Sequence, residues 1–317
     1  MTDHPDPTTQ ADSATDPPAA APPGHGFEVR SRRGQARTLA AIVAAVAVLA
    51  TGLFLVVDRD DSSASLTRAG ATLKVAWMTG DPAQEAIVEE VRERIAPDYG
   101  IRVEGVPLDD STQLNRAVSD GRIAGTIYQH QDWLDQVLEA NPGFRLQAGG
   151  PGIFHWRFGV WSDRYRSTDA IPDGATISLT SDPANLSIGL SQLAKAGLIR
   201  IHDGVTEGTA QLRDIDNPRG FKWKLVDFAS QPRVFRDVDA SVSSFEFFLN
   251  AGVPASKAIF APLPPERFAG ILTIGSRYAG SDNIKKLVAA FHDPRLQEFI
   301  RTDPRVRPAI AAAKAAS

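Results

Sequence analysis

The 317-residue sequence predicts an α/β protein in two groups of alternating strands and helices, set behind a single N-terminal membrane span. Three observations carry this expectation. Residues 38–57 run without a charge, short apolar segments alternate with helical periodicity from Leu73 onward, and the composition, 43% hydrophobic and 23% charged, is that of a globular chain.

Residues 1–26 hold no Leu, Ile, Val, Phe, Trp or Tyr, and so lack the apolar area that would offset the entropy of ordering them. A disordered leader over 1–37 is expected. Arg30, Arg32, Arg33 and Arg37 precede the run TLAAIVAAVAVLATGLFLVV (38–57), and Asp58, Arg59, Asp60 and Asp61 follow it. Such a run, as a helix, spans about 30 Å, the thickness of a bilayer's hydrocarbon core. The arginines place the N-terminus in the cytoplasm and the bulk of the chain outside. A buried core helix would need a protein surface on every side, which the flanking polar stretches do not supply. A cleaved signal peptide is the nearer alternative, with Ser62, Ser63, Ala64 and Ser65 as a peptidase site, but the apolar run exceeds the usual signal core. Residues 58–70 read as a polar tether.

Beyond the tether, LKVAWM (73–78) has strand character, AIVEEVRERI (86–95) places Ile87, Val88, Val91 and Ile95 at helical spacing, IRVEGVPL (101–108) returns as a strand, and QLNRAVSDG (113–121) as a short helix. Strand, helix and strand at this spacing make the unit of a parallel sheet. After the turn PDG (172–174) the pattern resumes with the strand ATISLT (175–180). SDPAN (181–185) offers Ser181 or Asp182 as the cap of a helix over 186–199. KWKLVDF (222–228), DASVS (239–243), AIFAPL (258–263) and GILTIGS (270–276) are further strands; QPRVFRDV (231–238), NIKKLVAAFHD (283–293) and RLQEFIRT (295–302) are helices.

The net charge of −4 excludes the basic stripe of a nucleic-acid binder, and the absence of cysteine excludes disulfides, thiolate metal sites and a thiol nucleophile. The six histidines show no metal-ligand spacing, and no GxSxG, GxGxxG or phosphate-loop motif occurs. No enzyme, cofactor or metal site is indicated. Aromatic residues stand out instead: Trp77 ends the first strand, Tyr128, His130 and Trp133 cluster, and FHWRFGVW (154–161) packs Trp156, Phe158 and Trp161 around Arg157. Aromatic and polar groups at strand ends of an open α/β sheet line ligand crevices, although each also suits a core.

YQHQDWLD (128–135), IPDGATISLTSDPANLSIGLSQLAKAGLIRIHDGV (171–205), DVDASVSSFEFFLNAGV (237–253) and NIKKLVAAFHDPRLQEFI (283–300) together resemble the NlpA/MetQ family, the substrate-binding proteins of methionine ABC importers. The resemblance runs in order from about Leu73 to the end. It implies a two-lobed type II periplasmic-binding-protein fold, with residues 71–160 and 247–317 in the first lobe, 161–246 in the second, and a small, amino-acid-like ligand between them. It also implies departures. The family's ligand-binding arginine falls at Ile188, its crossover-strand asparagines at Ser244 and Glu246, and its stacking tyrosine near Ser111. An arginine fork grips a carboxylate bidentately, and isoleucine leaves that charge unpaired. The candidate ligand contacts are therefore Trp77, Asn115, Tyr128, His130, Trp156, Arg157, Asn185 and Glu246, with Arg157 a substitute cation.

The family is typically anchored through an acylated cysteine, a role that residues 38–57 would take here, keeping the receptor at high effective concentration near an ABC permease. The alternative is an extracytoplasmic ligand sensor or scaffold that no longer serves a transporter. A permease and ATPase encoded beside the chain would favour the first.

Overall fold

The computed structural model describes residues 66–206 and 208–313. The expected leader and span, and all but the last five residues of the expected tether, lie outside these. Among the described residues no helix is long and apolar enough to cross a membrane. The end of the tether is not free: Leu66 is buried, and the Asn283 side-chain amide donates to the Leu66 and Arg68 carbonyls.

The first α/β group opens with β1 (Thr72–Met78), α1 (Pro82–Glu90) and β2 (Arg102–Leu108). α1 starts earlier than hydrophobic periodicity alone suggests, because Asp81 accepts from the Ala83 and Gln84 amides and Pro82 takes the first helical position. It runs on through a π turn, Val91–Ile95, and a 3-10 turn, Ala96–Tyr99. α2 (Ser111–Ser119), β3 (Gly125–His130), α3 (Gln131–Ala140), β4 (Leu146–Ala148) and β5 (Phe154–Trp156) follow. The second group holds β6 (Phe158–Trp161), β7 (Thr176–Thr180), α4 (Pro183–Lys195), β8 (Arg200–Ile201), β9 (Ile215–Asp216), β10 (Lys222–Val226), α5 (Gln231–Val234), β11 (Ala240–Ser244), α6 (Phe245–Asn250) and β12 (Ala258–Phe260). The chain returns with β13 (Gly270–Gly275), α7 (Asp282–Phe291), α8 (Pro294–Thr302) and β14 (Ile310–Ala312).

Two principal sheets result. One has seven strands in the order β14-β5-β13-β3-β1-β2, with β4 also on β13; the other has five in the order β10-β7-β11-β6-β12. β1 pairs parallel with β2 and β3, and β7 pairs parallel with β10 and β11, as the alternating pattern requires. FHWRFGVW is not one aromatic segment: β5 belongs to the first sheet and β6 to the second, and the chain passes between them through Arg157 alone. It returns over 261–269, between β12 and β13.

The core of the first sheet also takes in Trp161, Phe245 and Phe248 from the second group, and the second sheet has a further core of its own. Leu73, Val75, Ile87 and Phe291 anchor the first, and Ile177, Leu179, Leu190 and Val242 the second. Each such side chain, fully buried, contributes about 1.5–3 kcal/mol. Trp161 is a fully buried core residue. It stacks on Phe248 with ring centroids 4.6 Å apart, and its indole N–H donates to the Ser243 carbonyl.

Candidate functional site

In parallel units, loops that leave the C-terminal ends of strands converge on one edge of the sheet. β1 leads there to Asp81, β3 ends on His130, β7 leads to Asp182, and β11 ends on Ser244. The edges of the two sheets meet. Asn185 of the second group lies against the His130 ring, the Glu246 carboxyl hydrogen-bonds the Asp81 carboxyl, and the Asn250 amide donates to the Gly80 carbonyl.

The same short motif builds both sides. TGDPAQ (79–84) and TSDPAN (180–185) each follow the first parallel strand of their group. In each, the aspartate caps the helix by accepting the backbone N–H three residues on, 2.9 Å in both cases, and that same residue's side-chain amide donates to the carboxylate. The cap thus fixes Gln84 on one edge and Asn185 on the other.

His130 caps α3, its Nδ1 accepting from the Trp133 N–H at 3.3 Å, so the neutral ring carries its proton on Nε2. Burial holds its pKa below the usual histidine value. Nε2 is buried and faces Asn185, but no well-formed hydrogen bond closes on it. Phe268 stands edge-on to the ring at 5.5 Å, and Arg267 makes a two-pronged pair with Asp132 at 2.7 and 3.0 Å. Gly208 sits on that pair, where a Cβ would strike both charged groups.

An apolar patch accompanies these polar ends. Phe158, Ile188 and Phe268 form a buried group against Trp156 and Phe228, and Phe228 stacks on Phe247 at 5.1 Å. Ile188, where the resemblance implies an arginine, is therefore among aromatics.

Asp81 and Glu246 share one low-dielectric environment. Burial, then the Asp81 charge, pushes the Glu246 carboxyl up to about 9, and burial raises Asp81 as well. Glu246 is thus protonated at neutral pH and donates to Asp81. It lies on the first turn of α6, where the resemblance had placed its position on a crossover strand.

The remaining candidates separate. Asn115 and Tyr128 form a buried network with Gln129 and Thr273: the Asn115 amide donates to Tyr128 Oη, and Gln129 donates to Asn115 and Thr273. Burial pushes the Tyr128 phenol up to about 12. Trp77 packs its ring into the space left by Gly105 on β2, and borders a cavity of about 250 Å³ with Glu85, Glu89 and Arg92. Trp156 packs edge-on against Phe154 at 4.9 Å. Arg157 lies 4.4 Å over the Phe245 ring and donates to the Pro308 carbonyl at 3.3 Å. Sequence reasoning passed over Asp81 and Gln84, although GDPAQ carries the same cap signature as SDPAN. Among the described residues no three acidic or histidine side chains are grouped to hold a metal.

The NlpA lipoprotein family model matches residues 73–311. The D-methionine-binding lipoprotein MetQ of Escherichia coli K12 is 30% identical over 230 residues, covering 71% of this chain and 83% of that protein. Among solved structures, a nutrient binding protein from Burkholderia cenocepacia bound to methionine is similar with a TM-score of 0.64 and 26% identity, over 76% of this chain and all of that one. The methionine binding protein MetQ superposes with a TM-score of 0.65 and 26% identity, over 76% and 98% of the respective chains.

Proposed function

The chain belongs to the NlpA lipoprotein family, and on that footing we propose that it is an extracytoplasmic substrate-binding protein that delivers a small, amino-acid-like ligand to an ABC permease. The observation that carries this is the meeting of two strand-end edges, each bearing the same capped D-P-A-(Gln/Asn) motif, with an aromatic patch beside them. Two sheets joined through Arg157 and the 261–269 segment form lobes able to hinge, and a ligand held by both edges favours the closed form that a permease recognises.

His130, Asn185 and Glu246 are the ligand contacts this arrangement supports best. Ile188 in its aromatic surroundings offers nothing to a carboxylate, so free methionine held through an arginine fork is disfavoured. The sequence has no cysteine to acylate, and residues 38–57 take the anchoring role, with the lobes on the outer face.

The test is a thermal-shift screen of the detergent-solubilised full chain against amino acids, short peptides and small sulfur compounds. A cognate ligand at a hundred times its Kd adds about 2.7 kcal/mol, which raises Tm by several degrees. Loss of that shift in Asn185→Ala, with the fold intact by circular dichroism, is expected. A screen with no stabilising compound would remove the reading.

A further inference from the structure

Two carboxyl groups, Asp81 and Glu246, face each other at the meeting of the sheet edges, and among the described residues no lysine, arginine or histidine acts on Glu246. Among the described residues, Asp81 is the titratable side chain that acts on Glu246. Beside them Gln84 is 3% exposed and donates its amide nitrogen to Asp81 Oδ2, while its Oε1 is buried without a partner. That oxygen is borne by the same carbon as the nitrogen bonded to Asp81. Buried acceptors are ordinarily paired, so an orphaned one marks a place where a donor is missing. Two carboxyls and an orphaned amide oxygen thus stand close together, with no cationic side chain of the described residues acting on Glu246. Glu246 keeps part of its surface open, which leaves an approach from solvent. The next side chain, Phe247, stacks on Phe228 and connects to the aromatic patch.

We propose that Asp81, Glu246 and Gln84 receive the ammonium group of the ligand, and that the ligand class is a small organic ammonium with an apolar side chain whose carboxylate, if it has one, is not required. This rests on the substrate-binding role proposed above. A primary ammonium has three N–H donors for the three acceptor groups. Its entry makes the Glu246 proton redundant: the cation goes in, the carboxyl O–H breaks, and the proton leaves to solvent, so that net charge in the site is conserved. The aromatic rings take the apolar side chain.

The experiment is isothermal titration calorimetry of the detergent-solubilised full chain at pH 7.5, in phosphate and in Tris, whose protonation enthalpies differ. The probes are L-methionine, L-methioninol, which keeps the ammonium and lacks the carboxylate, and N-acetyl-L-methionine, which does the reverse. Methioninol is expected to bind within about threefold of methionine and N-acetylmethionine at least about tenfold more weakly, with about one proton released per ammonium bound. Glu246→Gln should abolish the proton release and weaken both ammonium probes at least about tenfold, leaving the circular dichroism spectrum unchanged. N-acetylmethionine binding as tightly as methioninol, or ammonium binding without proton release, overturns the ammonium assignment and leaves the substrate-binding role standing. Failure of all three probes overturns the assignment, and the thermal-shift screen then decides the broader role separately.

Discussion

Replacing Glu246 by glutamine should stabilise the protein at neutral and alkaline pH, the reverse of what loss of a buried hydrogen-bonded charge usually does. The folded protein holds this carboxyl at about 9 against an ordinary value of 4.5. Above pH 4.5 the unfolded chain sheds the proton that the folded one keeps, so stability falls as pH rises and levels off only once the folded carboxyl ionises. At about 1.4 kcal/mol per pH unit, the rise from 4.5 to 7 removes about 3 kcal/mol. Part of Glu246 remains in water, and solvent screening brings the expectation to about 1–2 kcal/mol. Glutamine mimics the neutral acid in size and offers an N–H to Asp81 in place of the O–H. For a chain of this size the gain corresponds to a Tm higher by about 3–6 °C. The assay is thermal unfolding of both proteins, ligand-free, from pH 4 to pH 9.5. The two curves should coincide near pH 4, separate progressively to about pH 9, and run parallel beyond it. A gap that does not change with pH, or a variant less stable throughout, would refute the argument that a protonated Glu246 donates to Asp81.

Two further outcomes concern stability elsewhere. A Cβ at Gly270 would lie 2.6 Å from the Phe154 ring, itself fully buried, so Gly270→Ala should cost about 1–3 kcal/mol, and Phe154→Leu in the same chain should recover part of the loss of Tm. Asp293 caps α8 and is held down to about 2 by hydrogen bonds from Arg295, so its contribution is present above about pH 4 and fades as pH falls toward 2. Asp293→Asn, which keeps a capping side chain, should be less stable by about 0.5–1 kcal/mol at pH 7, and the difference, measured by urea unfolding, should close between pH 4 and pH 2.

Much of the fold was legible because its signals are local. The parallel units of β1, α1 and β2 and of β7, α4 and β10 show in apolar periodicity, and the start of α4 in Asp182 and Pro183. β3 and α3 were obscured because the residue between them is His130, which caps the helix through a ring nitrogen rather than the hydroxyl or carboxylate that usually marks such a start. The split of FHWRFGVW was hidden for another reason. Strands of two different sheets look alike in sequence, and only pairing with β14 or β11 distinguishes Phe154–Trp156 from Phe158–Trp161.

The candidate site divides along the same line. His130 stood out in an aromatic cluster, the family resemblance pointed to Asn185 and Glu246, and the cap signature placed Asn185 at a helix start. That Trp77 fills the gap at Gly105, and that Arg157 lies over Phe245, depends on packing between elements whose separation in sequence leaves no local trace. The sequence by itself determined the kinds of element, their order and the charges available. Which carboxyl meets which was decided by the tertiary structure, because Asp81 and Glu246 act on each other only where the edges of two separately built sheets come together and exclude the water that would screen them.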